Sequence, residues 1–392
     1  MPDSAPSSSR LPSPSLPQRG AVEAALAEVW HTPVTVERWE RVGSWAVARV
    51  LVVVGGGART VIVKWMRGGA VGASVGAAVA RAEGWRLANE VATLRFLSEG
   101  LGIDLAPRVI AADLAAGFVV LEDLAPRVAL DELICRDGVA AHRERLAAFA
   151  AVLGELGAAT AGHAEKYTAV GVEASRHLLS ARWNRAYQDA VELGVPFRGE
   201  AASELAAAFD ELHVPGPFLA LSNGDAECNN CLVRESGPAD ARLIDFEAAT
   251  YGHALLDAVC LHVPGPRWMS VGDPVASGLA DRYRRALVRG VPEAEDDRLY
   301  GFGLAAACAS WALLRLQRWA VLDGRAPGDQ SRLQLVETVE AAARAAATHG
   351  AVPALAGWFR RVGETLRGRW TDAGGELDLA GPLRVRPYSP RV

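Results

Sequence analysis

The sequence predicts a mixed α+β protein in two lobes: a small N-terminal β-sheet lobe with one helix, and a large, mostly helical C-terminal lobe. Three observations lead there. Residues 34–66 are rich in Val, Ile and Trp and are broken by glycine clusters, the texture of short antiparallel strands. From Val139 onward apolar residues recur at helical spacing. Set within that helical part is a short stretch with the polarity of a hairpin, Asn223-Gly224-Asp225-Ala226-Glu227-Cys228-Asn229-Asn230 followed by Ile244-Asp245-Phe246-Glu247.

Taken in order, Ala21 to Trp30 reads as a short helix. Val34 to Arg41, Ala46 to Val54 and Thr60 to Met66 read as three antiparallel strands, with Gly43-Ser44 and Gly55-Gly56-Gly57 at the tight connections. A Gly/Ala-rich linker, Gly68 to Ala80, leads to a helix over Arg81 to Glu99, where Leu87, Val91, Leu94 and Leu97 share a face. Strands at Pro107 to Asp113 and Gly117 to Glu122 complete one sheet with one helix packed on it. Helices are expected at Val139 to Ala161, Arg176 to Leu193, Glu200 to Leu212, Val275 to Val288, Asp296 to Leu322, Gln330 to Thr348 and Pro353 to Arg369. The resulting division is a Ser/Pro-rich disordered tail (1–20), an N-terminal nucleotide-binding lobe (21–122), a C-terminal catalytic and acceptor-binding lobe (123–371) and a C-terminal tail (372–392).

Bulk composition narrows the function classes. The 41 basic and 46 acidic residues leave a net charge of −5, no footprint for nucleic acid and no polybasic patch for a membrane surface. No run of 18 or more apolar residues marks a membrane span, and the richest segment, Gly303 to Leu314, carries Ser310. Residues 1–20 lack the charged-then-apolar order of a signal peptide. Five cysteines, an odd number in a long chain, do not form a disulfide framework, so a reducing cytoplasm is the simplest home. Oligomeric state is not readable.

The Asp/Asn stretch carries a mechanism. In Asp225-x-x-x-x-Asn230 a loop can aim the Asp into a pocket while the Asn turns back towards it. Leu232-Val233 and Leu243-Ile244 form two strands with Gly237-Pro238 at their turn, and the second delivers Asp245 close to Asn230. Mg²⁺ favours oxygen ligands, commonly one or two carboxylates with phosphate oxygens and water. Asn230 and Asp245 are therefore metal-ligand candidates, and Asp225 is the carboxylate that receives a hydroxyl proton. Together they are minimal equipment for moving a phosphoryl group from a nucleotide to an alcohol.

These residues resemble the aminoglycoside phosphotransferase and choline kinase superfamily, small-molecule kinases of the protein-kinase-like fold, over roughly residues 34–371. The family's His-Gly-Asp-x-x-x-x-Asn loop and following Ile-Asp-Phe/Trp-Glu/Asp run map onto Asn223 to Asn230 and Ile244 to Glu247. The resemblance implies Asp225 as the catalytic residue, Asn230 and Asp245 as Mg²⁺ ligands, Glu247 at an acidic position of the family, and Asp257 as a brace of the catalytic loop. It implies Lys64, at the end of Val61-Ile62-Val63-Lys64, on the α- and β-phosphates of ATP or GTP, held by Glu90 of the next helix. It places the adenine-facing hinge at Leu121, Glu122 and Asp123, and a phosphate-covering loop at Gly43 and Ser44. Asn223 stands where the family has His; Asn also donates and accepts hydrogen bonds, so the loop is expected to survive. The implied acceptor is a small hydroxylated molecule: an aminoglycoside or other antibiotic, an amino alcohol, a sugar or a hydroxy amino acid. A nucleotide-binding pseudo-enzyme with a regulatory role is the alternative. A protein substrate is disfavoured, since Asp-Phe-Gly and Ala-Pro-Glu segments are missing.

Other residues have plainer readings. Cys228-x-x-Cys231 suggests zinc or redox chemistry, but no second pair lies at a ligand spacing, and a Cys opening a strand behaves as a small hydrophobe. His163, His253 and His262 have surface or capping roles by default. Trp183 and Trp268 are candidates for stacking on substrate. Asp273 and the Glu293 to Asp297 run are candidates for neutralising a cationic acceptor, beside their ordinary reading as a solvated helix start.

Overall fold

A computed structural model gives the fold. It describes residues 16–42, 46–66, 75–167, 184–264, 273–325 and 330–373. Most of both expected tails, the linker from 68 to 74, and Gly43, Ser44, Trp183 and Trp268 lie outside the described residues. The fold is mixed α+β and divides into two compact units, Met1–Arg95 with Pro107–Asp123, and Phe96–Ala106 with Leu124–Val392.

The first unit is built on a five-stranded antiparallel sheet of order β1-β2-β3-β5-β4. Its strands are β1 (Val34–Arg41), β2 (Val47–Val54), β3 (Gly57–Trp65), β4 (Val109–Asp113) and β5 (Phe118–Glu122). The β2–β3 hairpin follows from its turn chemistry. Val54 pairs with Gly57, and the intervening Gly55 and Gly56 have φ of 56° and 80°, a pair of positive values that two-residue hairpins need and glycine tolerates. Alternate residues Ala48, Val50 and Val52 of β2 and Val61 and Val63 of β3 point into a core closed by Phe118 and Val120. Helix α1 (Arg19–Trp30) sends Val22 and Leu26 into the same core, so a second helix joins the one expected on the sheet. Each such aliphatic side chain contributes roughly 1.5–3 kcal/mol by leaving water. The expected helix is α2 (Val75–Arg95), which starts earlier than its apolar spacing suggests and buries Leu87, Val91 and Leu94.

In the second unit two small sheets carry the loops of interest. One pairs β7 (Leu219–Ser222) with β10 (Thr250–His253). The other has the order β6-β8-β9, with β6 (Arg127–Ala129), β8 (Cys231–Arg234) and β9 (Ala241–Leu243). The helices are α3 (Leu130–Asp137), α4 (Arg143–Thr160), α5 (184–192), α6 (Glu200–His213), α7 (Val259–His262), α8 (Leu279–Leu287), α9 (Asp297–Leu316), α10 (Trp319–Asp323), α11 (Gln330–Thr348) and α12 (Pro353–Arg369). The single long helices expected at Val139–Ala161 and Asp296–Leu322 are shorter: α4 begins at Arg143, and α9 stops at Leu316 before α10 resumes at Trp319. Close approach of α4 and α8 depends on Gly154, where a Cβ would stand 2.3 Å from the Tyr283 carbonyl oxygen. Helix α9 is long and apolar enough to cross a membrane by composition alone, but 72% of its most apolar window is buried inside the protein, including Ser310. It is a central core helix.

Candidate functional site

Strand β7 ends at Ser222, and the chain turns sharply through Asn223-Gly224-Asp225. Gly224 has φ of 80°, and a Cβ there would lie 2.1 Å from the Ala248 carbonyl oxygen. Only glycine fits both the backbone angle and the space. Buried Asp257 holds the turn from below: it accepts from the Ser222 hydroxyl and, at 3.0 Å, from the Asn223 backbone N–H. Ser222 Oγ in turn accepts from the Gly224 N–H at 3.1 Å. Asn223 is fully buried and uses both ends of its amide, accepting from the Asp225 N–H at 3.2 Å and donating to the Ile244 carbonyl at 3.2 Å. One side chain thus ties the Asp225 loop to the segment that delivers Asp245.

Asn230 adds a second tie. Its Nδ2 donates to the Asp225 carbonyl at 2.8 Å and to Asp225 Oδ2 at 3.1 Å. Its Oδ1 accepts from Asn229 Nδ2 at 2.8 Å, and its carbonyl accepts from the Ile244 N–H at 2.9 Å. The β8–β9 pairing of Cys231 with Leu243 continues that register, so Asp245 follows directly on the strand opposite Asn230. Asp245 takes a left-handed backbone conformation, φ 64°, rare for a residue other than glycine and favoured at functional turns. The second unit therefore brings Asp225, Asn230 and Asp245 together.

Electrostatics mark the same place. Asp225 is exposed to solvent, yet the surrounding protein still desolvates its carboxyl. Its carboxyl is held above the usual range, first by this desolvation and second by the negative charge of Asp245, while the Asn230 hydrogen bond and the positive charge of Arg315 pull it down. Two neighbouring carboxylates with the amide oxygen of Asn230 form a hard-oxygen donor set whose mutual repulsion a divalent cation relieves. Among the described residues no cluster of three or more His, Cys, Asp or Glu side chains suits a metal. Cys228 and Cys231 are free and fully buried, and burial pushes both thiols far up, so they stay protonated and are poor ligands or nucleophiles.

In the first unit Lys64 of β3 lies opposite Val47 and Val119 in the sheet. Its Nζ stands 2.7 Å from Glu90 Oε1 and 2.6 Å from Oε2. The side chain of Glu90 is 1% exposed and that of Lys64 15%, so the pair is shielded from solvent. Leu121 is in the sheet opposite Ile62 and Val109. Glu122 donates its N–H to the Arg108 carbonyl and accepts the Arg108 N–H in return. Asp123 is paired with Arg49 at 2.8 Å. Gly43 and Ser44 lie outside the described residues, between strands whose last pair is Arg41 with Ala48.

The remaining sequence candidates have structural occupations. His253 is buried rather than superficial: it caps the following turn through the Leu255 N–H, stacks on Phe218 and meets Glu211 at 3.2 Å. In the acidic run, Asp296 caps α9 and Asp297 pairs with Arg284, while Asp273 caps its own turn. Sequence reasoning missed Ser222, Asn229 and Arg315. The last had a signal, a lone Arg closing the apolar run of α9.

No curated protein sequence matches the chain. Solved structures similar to it include a choline kinase from Streptococcus pneumoniae (13% identity, 83% of this chain and 98% of that one, TM-score 0.44). A choline/ethanolamine kinase family protein from Mesorhizobium loti is 17% identical over 85% of this chain and 93% of that one, with a TM-score of 0.41. Aminoglycoside 2′-phosphotransferase-IIIa in complex with GDP is 14% identical over 84% and 99%, with a TM-score of 0.45. The model of one protein family matches residues 52–302, well over half of the chain and inclusive of Lys64, Glu90, Asp225, Asn230 and Asp245; the chain belongs to the phosphotransferase enzyme family.

Proposed function

We propose that the protein transfers the γ-phosphoryl group of ATP or GTP to a hydroxyl of a small molecule, with Mg²⁺ bound by Asn230 and Asp245. The observation that carries this reading is the triple hydrogen-bonded tie of Asp225 to Asn230 and Asn223, which aims one carboxylate out of a rigid loop beside a second carboxylate. Family membership supports it. Mg²⁺, when bound, supplies charge neutralisation for the phosphate oxygens.

Asp225 orients the acceptor hydroxyl and receives its proton. The acceptor oxygen forms its bond to the γ-phosphorus as the bond to the β,γ-bridging oxygen breaks, and the nucleoside diphosphate leaves with that electron pair. Lys64, kept extended by Glu90, takes the α- and β-phosphates. Orientation and charge neutralisation supply most of the rate, since a carboxylate is a weak base.

A nucleotide-consumption screen over amino alcohols, aminoglycosides, nucleosides, sugars and hydroxy acids, with products weighed by mass spectrometry, tests the activity. Asp225→Ala is expected to leave nucleotide affinity within about threefold while cutting transfer about 10² to 10⁴-fold. Undiminished turnover in that variant refutes the assignment.

A further inference from the structure

Thr160 is the last residue of α4, and it holds both strands of the β7–β10 pair. It is fully buried. Its hydroxyl donates to the Leu156 carbonyl one turn back at 2.7 Å, which fixes the rotamer and leaves the oxygen free to accept from outside the helix. The Leu221 N–H of β7 donates to that oxygen at 3.0 Å. The Thr160 carbonyl is one of those that a helix end leaves without an intrahelical donor. It accepts from the Tyr251 hydroxyl of β10 at 2.9 Å. Leu221 and Tyr251 are themselves register partners in the two-stranded sheet. One residue of a distant helix therefore sets the depth of both strands at the same register position.

The helix behind these bonds is firmly seated. Besides Gly154, Gly157 of α4 lies against α8, where a Cβ would come within 2.9 Å of Leu287 Cδ1. Tyr283 of α8 donates its hydroxyl to the Ala254 carbonyl, just past β10, at 2.8 Å. The two strands in turn carry the candidate site. Strand β7 runs through Leu221 and Ser222 into the turn that presents Asp225. Strand β10 follows the segment that begins at Asp245, and the Ala248 carbonyl of that segment closes on Gly224. The turn is tied within itself by Asn223 and Ser222, so it moves as a unit with the strand that leads into it. Its anchors outside the loop are Asp257 from below and Thr160 at the strand. Phosphoryl transfer is sensitive to displacements on the ångström scale, because the reacting groups must be held in line.

We propose that Thr160 is a positioning residue for the transfer reaction: its hydroxyl on β7 and its carbonyl on β10 set where Asp225 stands relative to Asp245. This rests on the phosphotransferase reading above and adds to it a residue that touches neither nucleotide nor acceptor.

The test uses the full chain with ATP, Mg²⁺ and whichever acceptor gives the highest turnover among amino alcohols, aminoglycosides, nucleosides, sugars and hydroxy acids. Thr160→Val keeps the shape of the side chain and removes the acceptor of the Leu221 N–H. It should lower kcat about tenfold to a hundredfold. Its KM for ATP should stay within about threefold of the parent, since the misplaced group acts in the transition state and not in nucleotide binding. Thr160→Ser keeps the hydroxyl and should recover most of the lost kcat. Tyr251→Phe removes the other tie and should lower kcat in the same direction. Thermal unfolding verifies that each variant is folded, and Tyr251→Phe decides the matter if Thr160→Val is not. Unchanged kcat in the folded variants overturns the inference and leaves the phosphotransferase reading standing. So does a Thr160→Ser protein as slow as Thr160→Val, or a loss confined to the KM for ATP. A parent protein that transfers to no acceptor of any class overturns both.

Discussion

Asn230 Nδ2 binds Asp225 twice, at its main-chain carbonyl (2.8 Å) and at its carboxylate Oδ2 (3.1 Å), so the loop and the carboxylate are fixed by the same amide. The donor end is spent on Asp225, and the amide oxygen accepts from Asn229 Nδ2 at 2.8 Å. Asn230→Asp removes the donor and adds a negative charge beside two existing carboxylates. The Asp225 carboxyl should then titrate higher still. Because it must be ionised to accept a proton, the acidic limb of the kcat/KM profile should move to higher pH. Turnover at neutral pH should fall about 10²-fold or more. A pH–rate profile that coincides with that of the parent protein would contradict the coupling.

Lys64 and Glu90 allow stability and function to be separated. Breaking a shielded ion pair by changing one partner leaves an uncompensated charge, at a cost of roughly 3–5 kcal/mol, whereas an apolar pair of similar size is often neutral or stabilising. Glu90→Leu alone should therefore lower the urea midpoint sharply. Adding Lys64→Met should restore it while nucleotide binding stays lost. A double variant that regains nucleotide affinity would show that the pair serves packing alone.

What the sequence revealed depended on how far a signal extends. The sheet of the first unit was legible because Val-rich strands alternate over eight or nine residues and Gly55-Gly56 punctuates them. Helix α3, eight residues long, and β6, three residues long, were not, since neither spans enough chain to display a period. The break between α9 and α10 escaped because no Gly or Pro marks Gln317-Arg318. In the site, Asp225, Asn230 and Asp245 were readable from local spacing. Arg315 reaches the same place from a distant helix, and only tertiary packing discloses that. The double use of Asn223 was anticipated from its chemistry, as an amide able to donate and accept; which partners it takes was not.

Gly224 sets the shape of the turn from Asn223 to Asp225. Gly224→Ala places a methyl group against the Ala248 carbonyl and forces an L-residue to φ of 80°. The backbone term alone is roughly 1–2 kcal/mol, and the clash with main chain adds to it. The turn should shift, lowering both the melting temperature and kcat, with nucleotide affinity less affected. As a control, Gly237→Ala, at a φ of 80° with no atom within 4 Å of the added Cβ, should carry the backbone penalty without the loss of kcat. Equal kcat losses in the two variants would remove the steric explanation.

Asp257 gives the stability of this unit a pH dependence. Burial raises its carboxyl from 3.8 to about 6, against the hydrogen bonds from Ser222 and Asn223, which favour the ionised form. Between about pH 4 and pH 6 the unfolded chain carries this carboxyl ionised while the folded chain keeps its proton. Unfolding there releases a proton, so stability is greatest below pH 4 and falls as pH rises through 6. The difference of about two pH units corresponds to something on the order of 3 kcal/mol. Asp257→Asn keeps an oxygen to accept the Asn223 N–H but does not titrate. Urea unfolding of both proteins from pH 4 to pH 8 should show the parent losing ground to the variant up to about pH 6 and then running parallel to it. Curves parallel throughout would mean that Asp257 ionises as readily in the folded chain as in water, with its two donors offsetting burial in full.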